Sequence, residues 1–115
     1  MQLVFIVLNK TEYLEDLLMS LAENGISGAT ILDSTGMARV IGNNEDLRMF
    51  GALRMMFNPE REESKTIFTV LDEAKVPQLK KAVGSVIDLS KPDTGILFGV
   101  PVSFVEGIGG MQSGK

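Results

Sequence analysis

One pattern is written twice along this chain: an apolar run, an amphipathic helix and a second apolar run, with a single long segment between the two copies. The first copy runs LVFIVL (residues 3–8), TEYLEDLLMSLAENG (11–25) and GATILDSTG (28–36). The second runs KTIFTVLDEA (65–74), VPQLKKAVGSVID (76–88) and GILFGVPVSFV (95–105). Each copy reads strand, helix, strand. Leu14, Leu17, Leu18, Leu21 and Ala22 fall on one stripe at the 3.6-residue helical period. Thr11 is the predicted N-cap, its hydroxyl accepting from a first-turn amide, and Asn24-Gly25 supplies a left-handed stop. In the second helix Pro77 suits the first turn, where a missing N–H costs nothing, while Leu79, Val83, Val86 and Ile87 mark the buried face. Pro101 cannot donate to a strand ladder, so the last strand is expected at a sheet edge.

Two βαβ units of this size pack most simply as one antiparallel sheet with both helices on one face, a ferredoxin-like α+β sandwich of βαββαβ order with a long loop between strands 2 and 3. At 115 residues the chain reads as one domain over 1–108 and a flexible tail over 109–115. A domain this small gains buried surface by oligomerising, and the open face of the sheet is the natural place.

Composition excludes more than it proposes. The chain has no Cys and no His, hence no thiol nucleophile, disulfide, thiolate or imidazole metal site, or His general base. Oxygen-ligand metals stay open. The longest N-terminal apolar stretch is too short for a span and lacks a basic leader, so a cytoplasmic protein without membrane insertion is the expectation. A net charge of −4 argues against non-specific nucleic-acid binding, which depends on neutralising phosphates.

The segment over residues 36–64 exceeds the usual length of a structureless connection, which marks it as functional, disordered or partly helical. Leu47, Phe50, Leu53 or Arg54, and Phe57 follow helical spacing, Asn43 or Asn44 can cap the start, and Asn58-Pro59 ends it. Met49, Met55 and Met56 add soft apolar surface of the kind that repacks around different partners. The plainer reading is that this helix covers an exposed edge of its own sheet or of a neighbour's. All four arginines, Arg39, Arg48, Arg54 and Arg61, also fall here. A planar fork of donors suits carboxylates and phosphates, although surface pairs such as Glu45 with Arg48 account for the same residues. The candidate partner-binding residues are Arg48, Met49, Phe50, Arg54, Met55, Met56 and Phe57.

Two segments carry a family resemblance. LAENGISGATI (21–31) resembles the end of the first helix and the second strand of the P-II nitrogen-regulatory proteins, approximately L-A-E-x-G-I-x-G-[MA]-T-[VI]. ILFGVPVSFVEGI (96–108) resembles their last strand, I-F-V-x-P-V-x-x-V-x-x-I, and the apolar runs between fall in register. The resemblance implies a homotrimer of ferredoxin-like subunits with nucleotides such as ATP or ADP in inter-subunit clefts. It further implies 2-oxoglutarate held through a nucleotide-bound magnesium ion, and a long loop that engages a target such as a transporter or enzyme. In that light ATP or ADP is an effector and no cofactor is required.

Carried over by position, Thr30 matches the family threonine beside the base, Gly36 the first loop glycine and Arg39 the arginine at the loop's base. Ala38 replaces a second glycine, and Val40 replaces the glutamine that completes the magnesium and 2-oxoglutarate site. Valine has no side-chain atom that coordinates a metal or accepts a hydrogen bond. The family's glycine-rich run is replaced by DLSKPDTGI (88–96), in which Thr94-Gly95 keeps its character and Lys91 offers charge from another position. Two C-terminal arginines are replaced by Gly107 and Gly109, and the one tyrosine, Tyr13, lies on the first helix, which removes regulation by loop nucleotidylylation. The candidate ligand-binding set is Thr30, Gly36, Met37, Ala38, Arg39, Lys91, Thr94 and Gly95, with no catalytic residue and no metal ligand.

The resulting expectation is a divergent P-II-like trimer that senses a small molecule and acts through its central loop. Two alternatives stand beside it. A ligand-free trimeric protein-binding module predicts the same fold. An acylphosphatase-like hydrolase would need a phosphate-cradling loop and an arginine after the first strand, where this chain has LNKTEYL, and Asp33, Asp72 and Asp88 read as solvated carboxylates rather than an acid and base pair.

Overall fold

The computed structural model describes residues 1–42 and 63–108. The expected central helix, the partner-binding candidates Arg48 to Phe57 and the tail over 109–115 lie outside the described residues. Four strands, β1 (Gln2–Leu8), β2 (Thr30–Ser34), β3 (Ser64–Leu71) and β4 (Gly95–Pro101), form one antiparallel sheet in the order β2-β3-β1-β4. With α1 (Leu14–Glu23) and α3 (Val76–Gly84) packed together on one side, this is a ferredoxin-like α+β sandwich. A short helix, α2 (Met37–Gly42), follows β2.

Period-two alternation sorts the strands into two faces. Val4, Ile6 and Leu8 of β1 and Ile67 and Leu71 of β3 are buried against Leu17 and Leu21 of α1 and Leu79, Ala82 and Val83 of α3. Full burial of a Leu or Ile side chain contributes about 1.5–3 kcal/mol, so this row dominates the favourable side of folding. The helices approach closely where small residues meet. The Ser20 hydroxyl donates to the Ala82 carbonyl at 2.9 Å and shares a 3.0 Å hydrogen bond with the Ser85 hydroxyl. Buried polar groups are satisfied too, with Thr69 donating to the Gly28 carbonyl and Thr94 to the Lys91 carbonyl.

The expected helix stop at Asn24-Gly25 is present. Gly25 has φ +83°, its amide donates to Ala22, and the amide of buried Ile26 reaches back to Leu21 at 2.9 Å, the paired bonds of a Schellman motif. Pro77 lies in the first turn of α3, and the order of the sheet puts the strand carrying Pro101 at an edge.

Several boundaries differ from expectation. Thr11 does not cap α1: it belongs to a 3₁₀ turn (Thr11–Tyr13), and no side-chain cap bond forms at Lys10 or Tyr13. The amide of Thr11 donates to Asn9 and that of Tyr13 to Lys10, both at 3.0 Å, so the backbone already serves these donors. Helix α3 ends at Gly84, and Ile87 packs into the core from beyond it, beside half-buried Val86. Strand β4 ends at Pro101 because β1 runs out beside it, the last rung being the Val102 amide to the Met1 carbonyl at 3.2 Å.

Candidate functional site

Apart from Thr30, which is level with the middle of the sheet, the candidate ligand residues fall into two groups at one end of it. Thr30 lies on β2, exposed on the sheet side away from the helices and opposite Phe68. Gly36 precedes α2, its carbonyl accepting the Val40 amide at 3.3 Å; Met37 is exposed on α2, and Ala38 and Arg39 follow in the same helix. Val40, where the resemblance would need glutamine, is also exposed.

The second group lies in the turn before β4. Asp88 accepts from both the amide and the hydroxyl of Ser90, the former at 3.0 Å, and the Lys91 amide donates to the Asp88 carbonyl at 3.1 Å. These Ser90 bonds, with the charges of Lys91 and Lys10, hold the Asp88 carboxyl below its ordinary value of 3.8. Asp93 takes a left-handed φ of +58°. Thr94 is buried, its hydroxyl donating to Lys91 at 2.9 Å and its carbonyl accepting from Asn9 at 3.0 Å. At Gly95 an added Cβ would lie 2.3 Å from the Val7 carbonyl oxygen, so close backbone approach requires glycine. Thr94 and Gly95 therefore shape the turn, and exposed Lys91 is the member that presents charge to solvent.

A single chain does not unite the two groups. Ser34 pairs with Ser64, Lys65 with Leu8 and Leu8 with Gly95, which sets the end of β2 and the start of β4 at the same end of the sheet. They occupy opposite edges, however, separated by three strand spacings or about 14 Å.

Residues outside the expected set pin this end. Lys65 pairs with Asp33 across the β2–β3 ladder and with Glu63 at 3.3 Å, and those two hydrogen-bonded carboxylates raise its pKa above 10.5. On the other side of the same strands the Ser34 hydroxyl bonds Ser64 at 2.7 Å and Thr66 at 2.8 Å. Lys10 is brought to the Asp88 turn by the end of β1. Only strand pairing signals these contacts, since Ser34 and Thr66 stand 32 positions apart in the chain. Among the described residues no group of three His, Cys, Asp or Glu side chains comes together as a metal site, and no helix is long and apolar enough to cross a membrane.

Away from the Ser34–Ser64–Thr66 hydroxyls and Thr30, the sheet face opposite the helices is apolar. Phe68, Phe5 and Phe98 form a row across β3, β1 and β4, with ring centroids 6.0 Å and 5.0 Å apart. Ile96, Leu32 and Val100 extend it, and these side chains are 40–59% exposed. Phe104, beyond β4, is exposed to 79%.

No family model and no curated protein matches the chain.

Proposed function

We propose that this chain is a P-II-like regulatory protein: a homotrimer that holds a small molecule between copies and acts on a partner protein through residues 36–64. The division of the candidate ligand residues between opposite edges of one sheet supports the reading most directly. A second copy set edge to edge brings the end of its β2, with Gly36 and Arg39 following, beside Lys91 and Lys10 of the first. The site is incomplete in one chain and complete between two.

The face around Phe5, Phe68 and Phe98, which no described residue covers, supports assembly independently. A contiguous apolar surface of this kind on a small domain is normally buried against protein, and association removes it from water.

The ligand class follows from the charges. Lys91, Lys10 and Arg39 suit phosphate, and ATP or ADP is the effector proposed, with no cofactor required. Val40 argues against 2-oxoglutarate by the magnesium route. Ligand binding would act by differential affinity, favouring one arrangement of residues 36–64 and so changing the fit to a target such as a transporter or enzyme. The role is regulatory rather than catalytic.

A second reading, a trimeric protein-binding module without a ligand, is favoured by one observation: turn geometry alone accounts for Thr94 and Gly95. A thermal-shift panel of ATP, ADP and AMP, each with and without magnesium, separates the two. A bound nucleotide at 100 times its Kd stabilises by about 2.7 kcal/mol per site, a shift of several degrees. A flat panel on an intact trimer selects the module.

A further inference from the structure

One cavity lies outside the regulatory reading and is independent of it. A groove of about 450 Å³ opens on the helix side of the sheet, between α3 and the outer strand β4. It lies toward the end of the sheet away from the Lys91 turn, where Val4 pairs with Gly99 and Gln2 with Pro101. Buried Val4 and Leu79 and half-buried Val76 and Leu97 line it. Gly99 keeps it open, since a Cβ there would enter it 3.6 Å from a Val4 methyl. A concave, mostly apolar space with a few polar groups at its rim is the usual form of a small-molecule site.

Two charges border this lining, and they are not equivalent. Glu73, in the 3₁₀ turn (Glu73–Lys75) that leads into α3, accepts a hydrogen bond from the Gln2 side-chain amide at 3.3 Å, and both residues border the groove. Lys80 is exposed on α3 and forms no ion pair among the described residues. It stands two helical turns on from Glu73, so the same wall of the groove carries both, roughly 11 Å apart along the axis. A lysine stem lies along apolar surface while its ammonium reaches for a counter-charge. One end of the groove therefore offers a cation, and the other is closed by a carboxylate and amide already bonded to each other.

We infer that this groove binds a medium-chain aliphatic monocarboxylate, its carboxylate at the Lys80 ammonium and its alkyl chain along Val76, Leu79 and Leu97 over Val4. One cation matches one negative charge. A dianion would hold its second charge uncompensated against apolar surface, and a neutral chain would leave Lys80 without its counter-charge. The reverse orientation would set two carboxylates together at Glu73. The distance between the two rim charges suits an alkyl chain rather than a bare small acid, because the affinity of such a ligand comes from the methylenes it buries.

Octanoate is the probe, titrated into ¹⁵N-labelled protein and followed by amide chemical shifts. The shifts are expected to centre on Leu79, Lys80, Leu97 and Gly99, and affinity to rise about fourfold per methylene from butanoate to octanoate (about 0.8 kcal/mol). In Lys80→Met, which keeps an apolar stem at an exposed position, octanoate is expected to weaken about fivefold (roughly 1 kcal/mol), while octan-1-ol binds as it does to the parent. Gly99→Val, filling the groove from within, is expected to lose both ligands with its circular dichroism unchanged. Shifts centred elsewhere, no dependence on chain length, or equal octanoate affinity in Lys80→Met and the parent overturns the inference. Its failure is distinct from that of the regulatory reading: a thermal response to nucleotide without octanoate binding sinks the groove alone, and octanoate binding with a flat nucleotide panel sinks the nucleotide site alone.

Discussion

Asp88 holds its turn by accepting two bonds from Ser90, and these favour the carboxylate, so its pKa is depressed. A group with a depressed folded-state pKa contributes stability above its unfolded value and loses it as pH falls through the folded one. Asp88→Asn is therefore expected to lower the thermal midpoint at neutral pH, with the difference from the parent vanishing below pH 3.8. Lys65 has the opposite sign. Its pKa is raised by Asp33 and Glu63, so its contribution is fully present below 10.5 and lost as pH climbs through the folded-state value. Denaturant midpoints of Lys65→Met and the parent are expected to differ near neutrality and converge on the alkaline side of 10.5. Gly95→Ala is the steric test at this scale. With Val7's carbonyl 2.3 Å from the new Cβ the backbone must move, and the loss is expected to be at least about 1 kcal/mol by chemical denaturation.

The elements were legible where side-chain period decides them. The stripe from Leu14 to Ala22 and the alternation Val4, Ile6, Leu8 announce a helix and a half-buried strand, and both are present. Leu17 lies at the centre of that packing, fully buried, so Leu17→Ala is expected to cost about 2–5 kcal/mol of unfolding free energy. Helix α2 was not legible, because MARVIG spans under two turns and carries no periodic stripe or capping signal. The Thr11 cap failed for a local reason, the backbone of a 3₁₀ turn having taken the donors a cap would serve. Site residues divide along the same line. Gly36 is a candidate by motif and Lys91 by its charge beside a replaced motif, whereas Lys10, Lys65 and the Ser34–Ser64–Thr66 hydroxyls act through neighbours that sequence distance conceals. In sequence Gly95 resembles a ligand-loop glycine, and its steric need against Val7 is visible only with β1 alongside.

At the scale of the molecule, the described residues leave three things unfinished: an apolar sheet face, two sheet edges, and a set of candidate ligand residues split between those edges. The proposed ring of copies joined edge to edge would leave no edge free and would bring the split residues together. Phe98→Asp places a charge in the phenylalanine row at a position 46% exposed in one chain. The variant is expected to keep its circular dichroism and lose its assembly, because the cost of burying an unpaired carboxylate falls on association rather than folding. Whether the working unit is a trimer with its ligand between copies is decided by light scattering coupled to size-exclusion chromatography, with and without saturating ATP. The account predicts a mass three times the 12.5 kDa of one chain, and dissociation on dilution that ATP suppresses. A 12.5 kDa species at every concentration, unchanged by ATP, would contradict it.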